Sequence, residues 1–443
     1  MLPTCARKPG AHLWRSLSTA ARTSYDVVIV GGGVVGLSSA YHLAQKLGDG
    51  AGICVLERDA QYRRASAVLS AGGIRQQFSG VENIAMSQYG IRFLTDELQQ
   101  LRCAADTDAE PVDLQFFEGG YLFLAGSDSG LQVLHENHAT QLAAGHPGVE
   151  LLAPADVAAR FPWMSVDGVL AGSHGTVDEG WFDPWSLISA LRRKVREMGV
   201  TIDDTKCVGM RSAASGAAGA VGEGGGRRVE AVELKDGREL RCGTVVNAAG
   251  AFSHEVVGMA LGSEAAADGF EVRPRRRCIF NFHCPDKSVV GCPLTIDPSG
   301  VWFRQEGNGG GFLAGVSPPE EDDPDWPYLR PTEDVDEELW MGHIWPTIAE
   351  RVPAFEQVKV RGAWAGLYEY NVFDQNAIIG RHPGCSNLVL ANGFSGHGLQ
   401  QSPATGRAVS ELIADGGFTT LDLSCFGYER ILEGRHMFEK NIV

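Results

Sequence analysis

Hydrophobic and polar positions change period along the chain, and each change marks an element. Residues 27–30 (VVIV) are a continuous apolar run, as in a short strand buried on both faces of a parallel sheet. An amphipathic stretch through His42 and Leu43 predicts a helix next, and residues 53–56 (ICVL) predict a second buried strand. Ile84, Met86, Tyr89, Ile91, Phe93, Leu94 and Leu98 recur at helical spacing and predict a helix over 82–101. Residues 114–125 (LQFFEGGYLFLA) predict a hairpin or edge strands, and 131–144 another helix. Over 181–198, Asp183 caps, Pro184 takes the first turn, Leu187, Leu191 and Val195 form the buried face, and Gly199 stops the helix.

Short strands are expected over 200–247, around an insert at 213–226 that is nearly all Ala, Gly and Ser. Such a segment buries too little apolar surface to order itself and reads as a mobile loop. Residues 271–314 alternate strand-like segments with turns, and Arg273, Arg275, Arg276 and Arg277 read as solvated strand-end charges. The acidic, proline-rich stretch 318–331 predicts a surface loop, and 333–351 a helix. A last buried strand, LVLA at 388–391, runs into a glycine turn and a helix with Pro403 in its first turn.

Two of these strand–turn–helix units carry chemistry. In the first, Gly31, Gly33 and Gly36 have G-x-G-x-x-G spacing. Gly31 permits the tight turn, Gly33 lets a pyrophosphate approach the backbone, and Gly36 lets helix and strand pack closely, so the helix N-terminus faces the anion. Glu57 follows Gly36 by 21 residues, where an acid meets a ribose 2′-hydroxyl. This is a dinucleotide-binding βαβ unit, and the acid disfavours NADP; the motif alone does not separate FAD from NAD. The second unit, Asn392-Gly393-Phe394-Ser395-Gly396-His397-Gly398, presents another helix N-terminus to an anion. His397 reads equally as a group beside a flavin or as a turn residue. Between the two units, Gly72-Gly73 with Arg75, and Ala248-Ala249-Gly250, are further places where small residues admit a flat cofactor close to the backbone.

Composition narrows the class. The 443 residues exceed a single core, so two domains are expected. A net charge of −17 argues against nucleic acid as a partner. No apolar run reaches the length of a membrane span. The first 24 residues hold Arg7, Lys8, Arg15 and Arg22 and no acid, which suits a mitochondrial transit peptide better than a secretory signal. The ten cysteines show no C-x-x-C pairing and read as reduced thiols, and no metal-ligand cluster is evident.

The glycines at 31–36 with Glu57, LSAGGIRQQF at 69–78, EGWFDPW at 179–185, VVNAAGAFS at 245–253, FDQNAIIG at 373–380 and ANGFSGHGLQQ at 391–401 occur in this order. Together they resemble the D-amino-acid oxidase/sarcosine oxidase superfamily of FAD-dependent amine oxidoreductases. The strings SAGGIRQQFS, DEGWFDPW and GFSGHGLQQ are most similar to a mitochondrial branch that assists assembly of respiratory complex I. The resemblance implies an α/β (α+β overall) architecture: a Rossmann-type FAD domain from residues 25–110, 179–255 and 365–443, and an antiparallel-sheet substrate domain from 111–178 and 256–364. It implies that Gly31, Gly33 and Gly36 hold the pyrophosphate, Glu57 the ribose, and Gly72 and Gly73 the isoalloxazine. Val208, Ala249 and Gly250 would lie along the adenine side, and Gly393, Gly396, His397, Gly398 and Leu399 at the flavin pyrimidine. Arg75 would hold a substrate carboxylate and Tyr368 would shape the pocket.

Departures from the pattern accompany these matches. Leu69 and Gly366 stand where relatives attach flavin covalently, so the FAD is expected to be non-covalent. Gln400 replaces a lysine that contacts carboxylate and flavin, and Leu313 replaces an oxygen-activating lysine, so fast oxidase activity is not expected. The implied partners are complex I subunits or assembly intermediates and a small amino-acid-like substrate, in the matrix or peripherally on the inner membrane. Two functions remain open on these grounds: an amine dehydrogenase, and an assembly factor whose flavin is structural.

Overall fold

The computed structural model describes residues 22–106, 111–146, 148–214, 226–262, 269–327 and 335–441. The basic leader up to residue 21 and most of the Ala/Gly/Ser insert lie outside them. In chain order the first elements are β1 (Ser24–Val30), α1 (Val34–Leu47), β2 (Ile53–Leu56), β3 (Gly73–Ile74), α2 (Val81–Arg92), β4 (Tyr121–Ala125), α3 (Asp128–Ala143), β5 (Val149–Leu152), α4 (Pro154–Arg160) and β6 (Ala171–Gly175). Next come β7 (Gly180–Trp181), α5 (Pro184–Glu197), β8 (Thr201–Asp203), β9 (Cys207–Ala214), β10 (Arg227–Leu234), β11 (Glu239–Asn247) and α6 (Ser253–Leu261). The remainder is β12 (Val272–His283), β13 (Leu294–Ile296), β14 (Trp302–Glu306), β15 (Gly311–Gly315), α7 (Glu337–Leu339), α8 (Trp345–Arg351), β16 (Lys359–Asn371), β17 (Ile378–Arg381), β18 (Leu388–Asn392), α9 (Gly398–Ala414) and α10 (Glu429–Leu432).

Two eight-stranded sheets result. The first runs β17-β18-β11-β1-β2-β8, with β18, β11, β1, β2 and β8 parallel. The β9–β10 hairpin attaches antiparallel to β11. The continuous apolar runs of β1, β2 and β18 are explained by burial on both faces. Ile29, Val55 and Val389 pack with Leu37, Leu43, Leu187, Leu191 and Val409 on one side. Val28, Cys54 and Leu390 pack with Val232, Val257 and Leu261 on the other. The second sheet runs β16-β12-β15-β14-β13-β4-β6-β5 and is antiparallel except where β13 meets β4. The strands of segments 111–178 and 256–364 fall in this sheet, and β16 crosses residue 364 to join it with the first.

Several local expectations need correction. Only 121–125 of the stretch 114–125 is a strand, and it lies inside its sheet rather than at an edge, because all five residues are buried. Arg273 to Arg277 sit in the length of β12, with Arg275 buried against Asp325 and over the Tyr370 ring. Of the surface loop expected at 318–331, residues 328–331 lie outside the described ones; the rest is mostly exposed but buries Asp323 and Trp326. Pro403 falls in the second turn of α9; the carbonyl it cannot satisfy, Leu399 O, accepts from Ser402 Oγ at 2.9 Å. The helix over 82–101 ends its α-helical part at Arg92 and continues through a π turn and a 3-10 turn to Leu101. Asp183 caps α5 as expected, accepting from Trp185 N and Ser186 N.

The C-terminal tail is strapped across the site. Arg430 is fully buried and donates to both oxygens of Asp374 at 2.8 and 3.0 Å. Glu439 accepts from Ser79 N, Ser79 Oγ and Asn83 Nδ2, which brings Asn441 against the segment after β3.

Candidate functional site

One cavity of about 330 Å³ runs from the C-terminal end of β2 to the N-terminus of α9, between the two sheets. At its first end, Gly31 has φ +109°, and a Cβ there would collide with the Ala248 carbonyl. A Cβ on Gly36 would collide with Gly31 O, so the residue is a packing glycine behind the wall, not a lining one. Gly33 lines the cavity, and nothing lies within 4 Å of where its Cβ would be, so this main chain at the N-cap of α1 is bare. Glu57 ends β2 with Oε2 accepting from Gly32 N at 3.0 Å and Oε1 from Asp59 N at 2.8 Å. Burial still raises its carboxyl above the usual range.

Midway, Gly72, Gly73, Ala249 and Gly250 line the wall. Gly72 (φ +72°) packs its backbone on Phe182. Val208 does not line the cavity: it is exposed on β9, and Thr205, Lys206 and Cys207 take the place expected of it. Gly393 is also outside the wall, where its N–H donates to Glu369 Oε2 at 3.1 Å.

At the far end Gly396, His397, Gly398 and Leu399 open α9 and line the cavity, as do Arg75, Tyr368 and Gln400. Arg75 and Tyr368, expected at the substrate, and Gln400, at the position of the replaced lysine, are each engaged in the wall. The Arg75 guanidinium donates to Gln77 O and Asn441 O and to His397 Nε2 at 3.2 Å, and lies 4.1 Å from the Phe78 ring centroid. These partners are neutral, so they hold the donors of Arg75 without cancelling its charge. Gln400 Oε1 accepts from Arg75 N at 2.7 Å. Tyr368 Oη donates to Ser395 O, and burial keeps its phenol protonated far above neutrality. His397 accepts from Arg75 and is held neutral, well below the ordinary imidazole range, by burial and that cation. Both readings of His397 therefore describe it: its ring lies in the wall and its backbone in the turn.

Among the lining groups that sequence reasoning missed are Tyr121, Arg277, Ser317 and Glu369. Glu369 faces the cavity beside Gly250 and Gly398, and desolvation raises its carboxyl to about 8. Its signal was its position next to Tyr368, deep in a strand that otherwise carries apolar residues and tyrosines there. Leu69 and Gly366, the two covalent-attachment positions, meet across the wall; a Cβ on Gly366 would lie 3.0 Å from Leu69 Cβ. Neither offers a nucleophile. Leu313 packs behind the wall with Ile279, Leu294 and Trp302.

The residues fit a flavin dinucleotide. Bare helix N-termini stand at both ends for the pyrophosphate and the pyrimidine edge, a carboxylate stands at the ribose position, and glycines lie between. Comparison with known proteins agrees. The family profile described as FAD dependent oxidoreductase (DAO) matches residues 26–412. The chain is 44% identical over 431 residues to FAD-dependent oxidoreductase domain-containing protein 1 of Xenopus laevis, covering 94% of this chain and 85% of that protein. It is 26% identical to glycine oxidase of Bacillus licheniformis, over 92% of this chain and 98% of that one. The crystal structure of L-proline dehydrogenase from P. horikoshii superposes with a TM-score of 0.74 at 23% identity, covering 94% of this chain and all of that chain. The cofactor is FAD, and the chain belongs to the DAO family of FAD-dependent oxidoreductases.

Proposed function

We propose that this chain oxidises the C–N bond of a small N-substituted amino acid in the mitochondrial matrix, and that its biological role is in assembly of respiratory complex I. The observation that carries the chemistry is the shape of the cavity. Past the dinucleotide cradle, its far end continues into a space walled by Leu69, Tyr121, Ile279, Leu294, Trp302 and Tyr368. These walls are apolar and aromatic and come mostly from the second sheet, with Arg75, Arg277 and Ser317 beside them.

Bound FAD supplies a two-electron acceptor for a hydride from the carbon beside a neutral nitrogen. The chain's own groups do the rest. The N-terminus of α9 would present main-chain N–H groups and positive dipole to the electron-rich edge of a bound ring. Neutral His397 adds no competing charge, and Glu369 is the cavity-facing carboxyl that changes charge near neutrality. Leu69 and Gly366 leave the flavin unlinked. With Gln400 and Leu313 in place of lysines, nothing at those positions assists O₂, which favours transfer of electrons to a carrier.

The similarity to glycine oxidase supports an amine-bearing substrate, and the acid-free, arginine-bearing N-terminal segment supports the matrix location. The complex I role is supported by the likeness of SAGGIRQQFS, DEGWFDPW and GFSGHGLQQ to the mitochondrial branch that serves it. Anaerobic addition of glycine, N-methylglycine and proline to the flavin-loaded protein tests the chemistry. Bleaching of the flavin band by one of them is expected; an unchanged spectrum with all amines tried would leave a structural flavin. Depleting the chain from cells and following complex I on native gels tests the role, and undiminished complex I would refute it.

A further inference from the structure

Arg75 and Arg277 line the flavin end and Arg304 lies behind it, and the three are held in different ways. Arg75 is tied to two main-chain carbonyls, Gln77 O beside it and Asn441 O of the strap. Arg304 donates to Ala71 O and Gln305 O, both at 2.7 Å, and pairs with Glu306 at 2.5 Å. Arg277 is held instead by both oxygens of one carboxylate. Its Nη1 and Nη2 donate to the two oxygens of Asp323, each at 2.8 Å. Its Nε donates to Ser317 Oγ at 3.2 Å and its Nη1 also to Arg276 O at 3.0 Å. The guanidinium lies 4.6 Å from the Tyr368 ring centroid, and Arg277, Ser317 and Tyr368 all line the cavity.

Asp323 reaches Arg277 from loop 317–327, and the loop has separate moorings. Asp325 pairs with Arg275 at 3.2 Å, Trp326 N donates to Pro274 O at 2.7 Å, and Arg276 lies 4.2 Å over the Trp326 ring. Asp323 can therefore leave Arg277 while the base of the loop stays in place. A two-pronged arginine–carboxylate pair is also how arginine takes a carboxylate from solution. Asp323 occupies Arg277 as such a ligand would.

We propose that Arg277, with Ser317, is the carboxylate anchor of this site, and that Asp323 is a built-in plug that a ligand's carboxylate displaces. This rests on the reading that the flavin end takes a small amino acid. It assigns the specificity for a carboxylate to β12 and its acidic loop, with Arg75 held by main-chain carbonyls beside it. A plugged site binds its ligand more weakly by the fraction of time it is open. Carboxylates are then admitted only when they outcompete Asp323.

The test uses the full-length, FAD-loaded protein with acetate as probe and acetamide as its uncharged match. Binding is read by calorimetry, which reports it whether or not the flavin spectrum moves. Asp323→Asn should bind acetate roughly tenfold or more tightly than the wild type, with acetamide unaffected. The double variant Asp323→Asn/Arg277→Gln, which leaves no charge unpaired, should lose that gain. Equal acetate affinity in wild type and Asp323→Asn, including none detectable in either, would overturn the proposal, as would a gain that survives in the double variant. Bleaching by amines is a separate readout, so failure of the amine chemistry and failure of the plug are told apart.

Discussion

At the nucleotide end of the cavity the glycine turn sets main-chain N–H groups beside the Glu57 carboxylate, whereas at the flavin end rings and guanidinium groups already bonded to one another line the wall. The first kind of wall needs glycines in fixed places and leaves little room for variation. Gly31, Gly33 and Gly36 are there because a β-carbon would strike backbone or fill the space the pyrophosphate needs. The second kind is a network in which each cation has a partner: Arg75 the strap, Arg304 the β3–β14 backbone, Arg277 the acidic loop. Binding at one end is preformed, and at the other it must exchange partners.

The sharpest way to break this contrast is at Gly36. Gly36→Val puts a branched side chain against the Gly31 carbonyl, and neither backbone can give way. A loss of about 3 kcal/mol or more is expected, by analogy with severe overpacking, together with loss of flavin, checked by thermal melting and absorbance. Next in size is a change in pH response. Glu369 is protonated in the folded protein up to about 8 and ionises near 4.5 when unfolded. The folded state therefore binds the extra proton between those values, and stability falls as pH rises through that window, the full penalty being present above 8. Glu369→Gln should flatten this slope, read by denaturant unfolding at pH 5 and pH 8; an unchanged slope would mean that the carboxyl is solvated.

Smaller effects sharpen the picture. Glu57→Ala removes a charged hydrogen-bond acceptor from the ribose position and should weaken FAD by roughly 1.5–3 kcal/mol, measured by flavin titration of the apoprotein with the fold intact. Tyr368→Phe removes only the bond to Ser395 O and should cost about 1 kcal/mol of stability, with flavin retained.

What could be read in the sequence follows the same division. The glycine motif, Glu57 and the second glycine turn could be recognised because main-chain binding is local: the residues lie within a few positions of one another, and their spacing carries the geometry. The parallel strands were legible for the same reason, as unbroken apolar runs. The substrate end was not. Arg277 and Asp323 are 46 residues apart in sequence and meet only because β12 pairs along the full length of β16 and the loop folds back over it. Arg75 looked available because its partners, Gln77 O and Asn441 O, are main-chain atoms, one of them 366 residues away, that no side-chain pattern reveals. In sequence, residues 114–125 read as a hairpin or edge strands, with Gly119-Gly120 between their apolar runs. In the fold, Gly120 N donates to Glu179 O instead of closing a hairpin turn.

The claim on which everything rests is that one cavity holds one unlinked FAD along its whole length. The direct measurement is to express the chain from Tyr25, record its visible spectrum, precipitate it with acid, and identify what is released. The account predicts a yellow protein that gives up one FAD per chain to the supernatant. A stably folded, colourless protein, or flavin that stays with the precipitate, would contradict it.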